Sequence, residues 1–146
     1  MITDERFKPY VAVWLVAKKD EQILLSRRCN TGWMDGHYTL VSGHLEEGEG
    51  IIEAMIREAK EEAGLSLSRE QLSVVHVTHR KCPDREYLDF FLEVKNLEEE
   101  PKNMEPDKCD NLQWFSLNEL PDNVLSNLKF SLEKIENKIY YGEFGW

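Results

Sequence analysis

The stretch from Gly43 to Leu65, GHLEEGEGIIEAMIREAKEEAGL, constrains the fold more than any other part of the chain. Its apolar residues Ile52, Met55, Ile56, Ala59 and Ala63 recur at steps of three and four, the period of an amphipathic helix, and Gly64 stands where a C-cap glycine ends one. At about 100° per residue, Glu58, Glu61 and Glu62 then share one arc of roughly 100° beside the apolar stripe. Like charges at these spacings cost stability unless solvent screens them or a cation binds. Carboxylates with no paired His and no nearby Cys suit a hard ion, Mg²⁺ or Mn²⁺. For the carboxylates taken alone, a solvated acidic face is the plainer reading.

Around this helix the pattern is that of strands. Val11, Val13 and Leu15 alternate with Ala12, Trp14 and Val16, and Ile23 to Leu25 follows the polar Lys18 to Glu21, which predicts a strand hairpin. A short strand at 38–41, further strands at 72–77, 87–94 and 112–115, and a second amphipathic helix carried by Leu125, Leu128, Leu132, Ile135 and Ile139 complete the expected set. Strands, helix, strands, helix is the order of an α/β sandwich. The aromatic residues Tyr140, Tyr141, Phe144 and Trp146 are expected to dock on the body or on a partner copy.

The 146 residues, 41% hydrophobic and 32% charged, suffice for one domain over 1–146 with its own core. A net charge of −10 argues against a surface that neutralises a double-stranded nucleic-acid backbone, so a nucleotide has to be met locally, through metal ions. No apolar run approaches the ~20 residues of a membrane helix. Residues 1–6 are polar where a secretory leader would be basic and then apolar, and Cys29, Cys82 and Cys109 form no CxxC pair. A cytoplasmic protein with reduced thiols and no membrane partner is expected, with monomer and homodimer both open.

Gly43, Glu49 and the run REAKEEAGL from Arg57 to Leu65 follow the pattern Gx5Ex7REUxEExGU, in which U is a bulky aliphatic residue. Eight of the nine defined positions match, with Ala59 standing at the first U. The chain therefore resembles a Nudix hydrolase. Residues 36–40, GHYTL, lie where the family often has GxWxLPGG, with Tyr38 for Trp and Val41-Ser42-Gly43 for Pro-Gly-Gly, and WFSLNELP at 114–121 is similar to the family's late W-x-x-x-x-E-L-P.

This resemblance implies a Nudix-type α/β/α sandwich with a mixed central sheet, the box helix at 43–65 carrying the metal site. It implies Glu58 and Glu62 as metal ligands, Glu61 as a further ligand or the base, and the Ser42 carbonyl as a backbone ligand. Arg57 is expected to pair with Glu49 and so fix the loop into the helix. A glutamate from a later loop often completes such sites, and Glu105 is the candidate, as catalytic base.

For the substrate, Arg28 offers a guanidinium suited to phosphate and His44 directly follows the box glycine. Trp33 and Tyr38 are aromatic candidates for stacking on a base. Asp89, a carboxylate in an apolar strand, is a candidate base contact, because burying it unpaired is costly. The activity implied is Mg²⁺-dependent hydrolysis, with Mn²⁺ able to substitute, of a small-molecule nucleotide: a nucleoside triphosphate, oxidised or not, giving monophosphate and pyrophosphate. A nucleotide sugar or ADP-ribose is the alternative substrate. A nucleotide-sensing module that does not hydrolyse is the alternative outside catalysis.

Overall fold

Strand β1 (Tyr10–Val16) sets the plan of the molecule, because both of its faces are buried. In the computed structural model, which describes residues 5–146, Val13 and Leu15 enter one core while Ala12, Trp14 and Val16 enter another. A strand whose side chains alternate between two apolar environments belongs in the middle layer of a fold. β1 runs parallel to β7 (Glu86–Val94) and antiparallel to β5 (Ser42–His44). With β6 (Leu72–Lys81) and β9 (Tyr141–Phe144) they form a mixed sheet of order β5-β1-β7-β6-β9.

Helix α1 (Ile51–Ala63) covers one face of this sheet and α2 (Ser126–Glu136) the other. Ala54, Met55, Ala59 and Ala63 join the first core, and Leu128, Leu132 and Ile135 the second. This is the α/β/α sandwich that the resemblance implies. Ala59, the one departure from the box pattern, is fully buried, and with Ala54 and Ala63 it lets α1 lie close on the strands. Between α2 and β6 runs a line of buried hydrogen bonds: His76 Nδ1 to the Ile139 carbonyl at 2.7 Å, His76 Nε2 to Thr78 Oγ1 at 2.7 Å, and Thr78 Oγ1 to Ser131 Oγ at 2.8 Å.

A second, antiparallel sheet is built around β3 (Gln22–Arg28), with β2 (Lys18–Lys19) and β4 (Tyr38–Thr39) on one edge and β8 (Cys109–Ser116) on the other. The single strand predicted at 38–41 is thus two. Tyr38 and Thr39 pair with β3, the chain crosses sheets through the buried Leu40 and Val41, and Ser42 onward pairs with β1. A run of apolar residues does not encode which neighbour it will bond to. The second helix stops at Glu136 instead of reaching Ile139, and Tyr141–Phe144 docks on the body as β9, parallel to β6. Among the described residues no helix is long and apolar enough to cross a membrane. Residues 1–4, on which the N-terminal reading partly rests, lie outside the described residues.

Candidate active site

Helix α1 ends where Gly64 adopts φ 66°, and the N–H groups of Gly64 and Leu65 return to the carbonyls of Lys60 and Ala59 at 3.1 and 3.2 Å. Glu58, Glu61 and Glu62 therefore lie on continuous helix, one turn apart. Arg57 ties this turn to the preceding loop. Its guanidinium donates to Glu49 at 2.7 and 3.1 Å, to Glu58 at 2.7 Å, to Glu61 at 3.3 Å and to the His44 carbonyl at 3.1 Å. The hydrogen bond from Arg57 holds Glu49 below the usual carboxylate range. The sequence pairs Arg57 with Glu49; the added hold on Glu58 and Glu61 uses the further N–H groups of the guanidinium fork.

Strand β5 forms the other wall. Leu15 N–H donates to the Val41 carbonyl and Leu45 N–H to Val11, so Gly43 lies in a hydrogen-bonded pair with Val13 and Ser42 does not bond β1. Both backbone groups of Ser42 thus face off the sheet edge, and its N–H donates to Glu62 Oε2 at 3.2 Å. The Ser42 carbonyl turns to the same side. Gly43 faces α1, and a Cβ there would run into the Glu58 carboxyl group. Gly43→Ala is therefore expected to fold with a melting temperature close to wild type while pushing the flexible Glu58 end aside. An activity that depends on these carboxylates should drop by about 100-fold, the scale of a 1 Å misplacement; a rate measurement beside a thermal melt checks both halves.

Burial, with the neighbouring carboxylates of Glu58 and Glu105, pushes Glu62 up to about 9. Burial also raises Glu58, against the pull of Arg57. Two carboxyl groups crowded in this way repel each other, and a divalent cation bound between them would relieve that repulsion. The donor set fits a hard metal ion. Among the described residues, no three carboxyl, imidazole or thiol groups are already gathered around one point: Arg57 draws Glu58 and Glu61 to itself.

The carboxylates open onto a cleft of about 450 Å³. Its lining brings Ser42, Glu58, Glu61, Glu62 and Glu105 together with Arg28, Asn30, Thr31 and Lys108. One face of the second sheet makes the floor, where Ser26 on β3 sits between Thr39 on β4 and Leu112 on β8. Arg28 is held at the rim by the Trp33 carbonyl at 2.8 Å and Thr31 Oγ1 at 3.0 Å, with its guanidinium over the Trp33 ring. Burial lowers its pKa, and Asp35 and Glu62 oppose that. Trp33 itself is half-exposed, outside the cleft lining.

Tyr38, Asp89 and His44 do not line the cleft, and the reason in each case is strand geometry. Tyr38 pairs with Arg27, one residue out of step with the floor, so it points into the second core, edge-on to Phe115, and its hydroxyl accepts from Asn111. Asp89 is buried but fully partnered: Arg80 donates to it at 2.6 and 3.1 Å and Trp14 Nε1 at 3.1 Å. His44 packs beside Tyr10 and Tyr87, with Nε2 3.2 Å from the Tyr87 hydroxyl. Conversely, Ser26, Thr39, Lys108 and Leu112 line the cleft without having stood out in the sequence. Their one signal is alternation: counted in steps of two from Arg28, Ser26 shares its face.

The Nudix domain model matches residues 6–136. An ADP-ribose pyrophosphatase from Methanocaldococcus jannaschii is 34% identical over 129 residues, which take in 87% of this chain and 70% of that protein. The NAD-capped RNA hydrolase NudC of Pseudomonas aeruginosa is 31% identical over 116 residues, 80% of this chain and 38% of NudC. Among solved structures, a MutT Nudix hydrolase from Burkholderia pseudomallei superposes with a TM-score of 0.78 at 25% identity, over 87% of this chain and 98% of that one. Since the match spans nearly the whole chain, and the box residues come together on one helix and its entry loop, this chain belongs to the Nudix hydrolase family.

Proposed function

We propose that this chain hydrolyses the pyrophosphate linkage of a nucleoside diphosphate joined to a further group, with Mg²⁺ as cofactor and Mn²⁺ able to replace it. The observation that carries this reading is the group of box carboxylates Glu58, Glu61 and Glu62, with Glu62 buried and held by the Ser42 N–H, in a cleft that Arg28 and Lys108 also line. Glu58, Glu62, Glu61 and the outward-facing Ser42 carbonyl would hold the ion. When bound, it would offset phosphate charge in an acidic chain and stabilise the charge that develops on the departing phosphate. Arg28, propped by Trp33 and Thr31, meets the phosphates from the rim. Glu105, which lines the cleft near Glu62, takes the proton of the attacking water, and Glu61 is the other carboxylate that lines it.

Two substrates fit this chemistry. Whole-length likeness to a small MutT chain favours a nucleoside triphosphate, oxidised or not. The 34% identity to an ADP-ribose pyrophosphatase favours ADP-ribose, and a cleft lined by hydroxyl and amide groups suits its second sugar. Incubating the protein with triphosphates, oxidised triphosphates, nucleotide sugars and ADP-ribose, with Mg²⁺ or with chelator, separates them by product. Monophosphate with pyrophosphate identifies the first, and AMP with ribose 5-phosphate the second. No cleavage of any compound, together with a raised melting temperature, would replace hydrolysis by nucleotide sensing.

A further inference from the structure

Thr39 is 4% exposed, yet its hydroxyl has no hydrogen-bond partner among the described residues. The surrounding structure gives it no freedom to find one. Its backbone lies in the β3–β4 ladder opposite Ser26, and its branched side chain has few rotamers to choose from. The Ser26 hydroxyl, the nearest candidate across the ladder, donates instead to Cys109 Sγ at 3.1 Å. A buried hydroxyl left unpaired is destabilising, and such groups are rare enough in native proteins to need a cause. This one borders the cleft floor.

Its position along the chain says what it would meet. Thr39, Val41 and Ser42, whose N–H touches Glu62, all line the cleft. The sheet change at Leu40 and Val41 separates Thr39 from Ser42, so that Thr39 lies on the cleft floor with Ser26, and Ser42 lies beside the carboxylates. A nucleotide anchored by its phosphates at the carboxylates and lying in this cleft would set its nucleoside against that floor. We propose that Thr39 is a specificity-determining residue, its hydroxyl completing a hydrogen bond to a polar atom of the base or ribose. This rests on the hydrolase reading above and extends it to the group that the cleft selects.

The test uses Thr39→Val, which keeps the shape and removes the hydroxyl, and Thr39→Ser, which restores it. On the best substrate of the panel, Thr39→Val should lose about five- to tenfold in kcat/KM, the scale of one neutral hydrogen bond, and Thr39→Ser should recover most of it. Across analogues with single base or ribose polar atoms removed, the wild-type to Thr39→Val ratio should fall to one for the analogue lacking the contacted atom. The melting temperature of Thr39→Val should hold or rise, since no protein contact is lost. Equal kcat/KM for wild type and Thr39→Val on every analogue would overturn the assignment. So would a lowered melting temperature with a uniform loss on all substrates, which marks a structural hydroxyl. Should the wild type cleave nothing, the hydrolase reading falls by itself. Calorimetric titration with nucleoside monophosphates then tests Thr39 alone: unchanged Kd in Thr39→Val rejects it, and five- to tenfold weaker binding upholds it.

Discussion

Glu62→Gln is expected to abolish turnover and, in chelator, to raise the melting temperature. The neutral amide keeps the size of the side chain and can still accept from the Ser42 N–H, but it supplies no charge for a cation, so kcat with saturating Mg²⁺ should fall by about a thousandfold or more. The stability gain follows from linkage. The folded protein holds Glu62 protonated up to about pH 9, whereas the unfolded chain releases that proton near ~4.3. Between those values the folded state binds more protons than the unfolded one, so this carboxyl subtracts stability progressively as pH rises. Melting wild type and Glu62→Gln side by side in chelator from pH 5 to 9 should show a gap that widens with pH. Mg²⁺ should close the gap by stabilising wild type alone. A variant that turns over normally, or a gap that narrows as pH rises, would remove Glu62 from the metal site.

Asp89→Ala should have the largest effect on stability and little on catalysis. Burial works against the Arg80 charge, and the hydrogen-bonded Asp89 carboxylate more than offsets it. Removing the carboxylate strands a buried guanidinium and the Trp14 N–H together, a loss of about 3–5 kcal/mol. For a chain of this size that lowers the melting temperature by about 10 °C or more. At a temperature where the variant is still folded, kcat/KM should stay within about twofold of wild type, because Asp89 lies outside the cleft lining. Unchanged stability with lost activity would return Asp89 to the substrate site.

These two carboxylates also show what a sequence can and cannot convey. The grouping of Glu58, Glu61 and Glu62 is legible because helical spacing is local: five consecutive residues fix which side chains share a face. The role of Asp89 is not, since its partners Arg80 and Trp14 come from two other strands whose order in the sheet no local pattern encodes. An apolar strand with one acidic residue reads the same whether that residue meets a ligand or an arginine. Likewise both helices and the sandwich are readable from periodicity, while long-range pairing decides the sheet change at Leu40 and Val41 and narrows the expected hairpin to Lys18–Lys19 against β3, with β1 in the other sheet. The cleft floor was invisible for the same reason: Ser26, Thr39 and Leu112 become neighbours only once β3, β4 and β8 are laid side by side.

Strand β4 is two residues long and looks both ways: Tyr38 belongs to the interior and Thr39 to the cleft. A change in how Phe115 or Asn111 packs on Tyr38 therefore shifts the peptide that carries the Thr39 hydroxyl, although neither residue lines the cleft. Selectivity in this protein is open to retuning from behind. Mutations that look like ordinary adjustments of the interior can redirect which nucleotide is accepted, and a chain with an unaltered cleft lining need not keep the same preference.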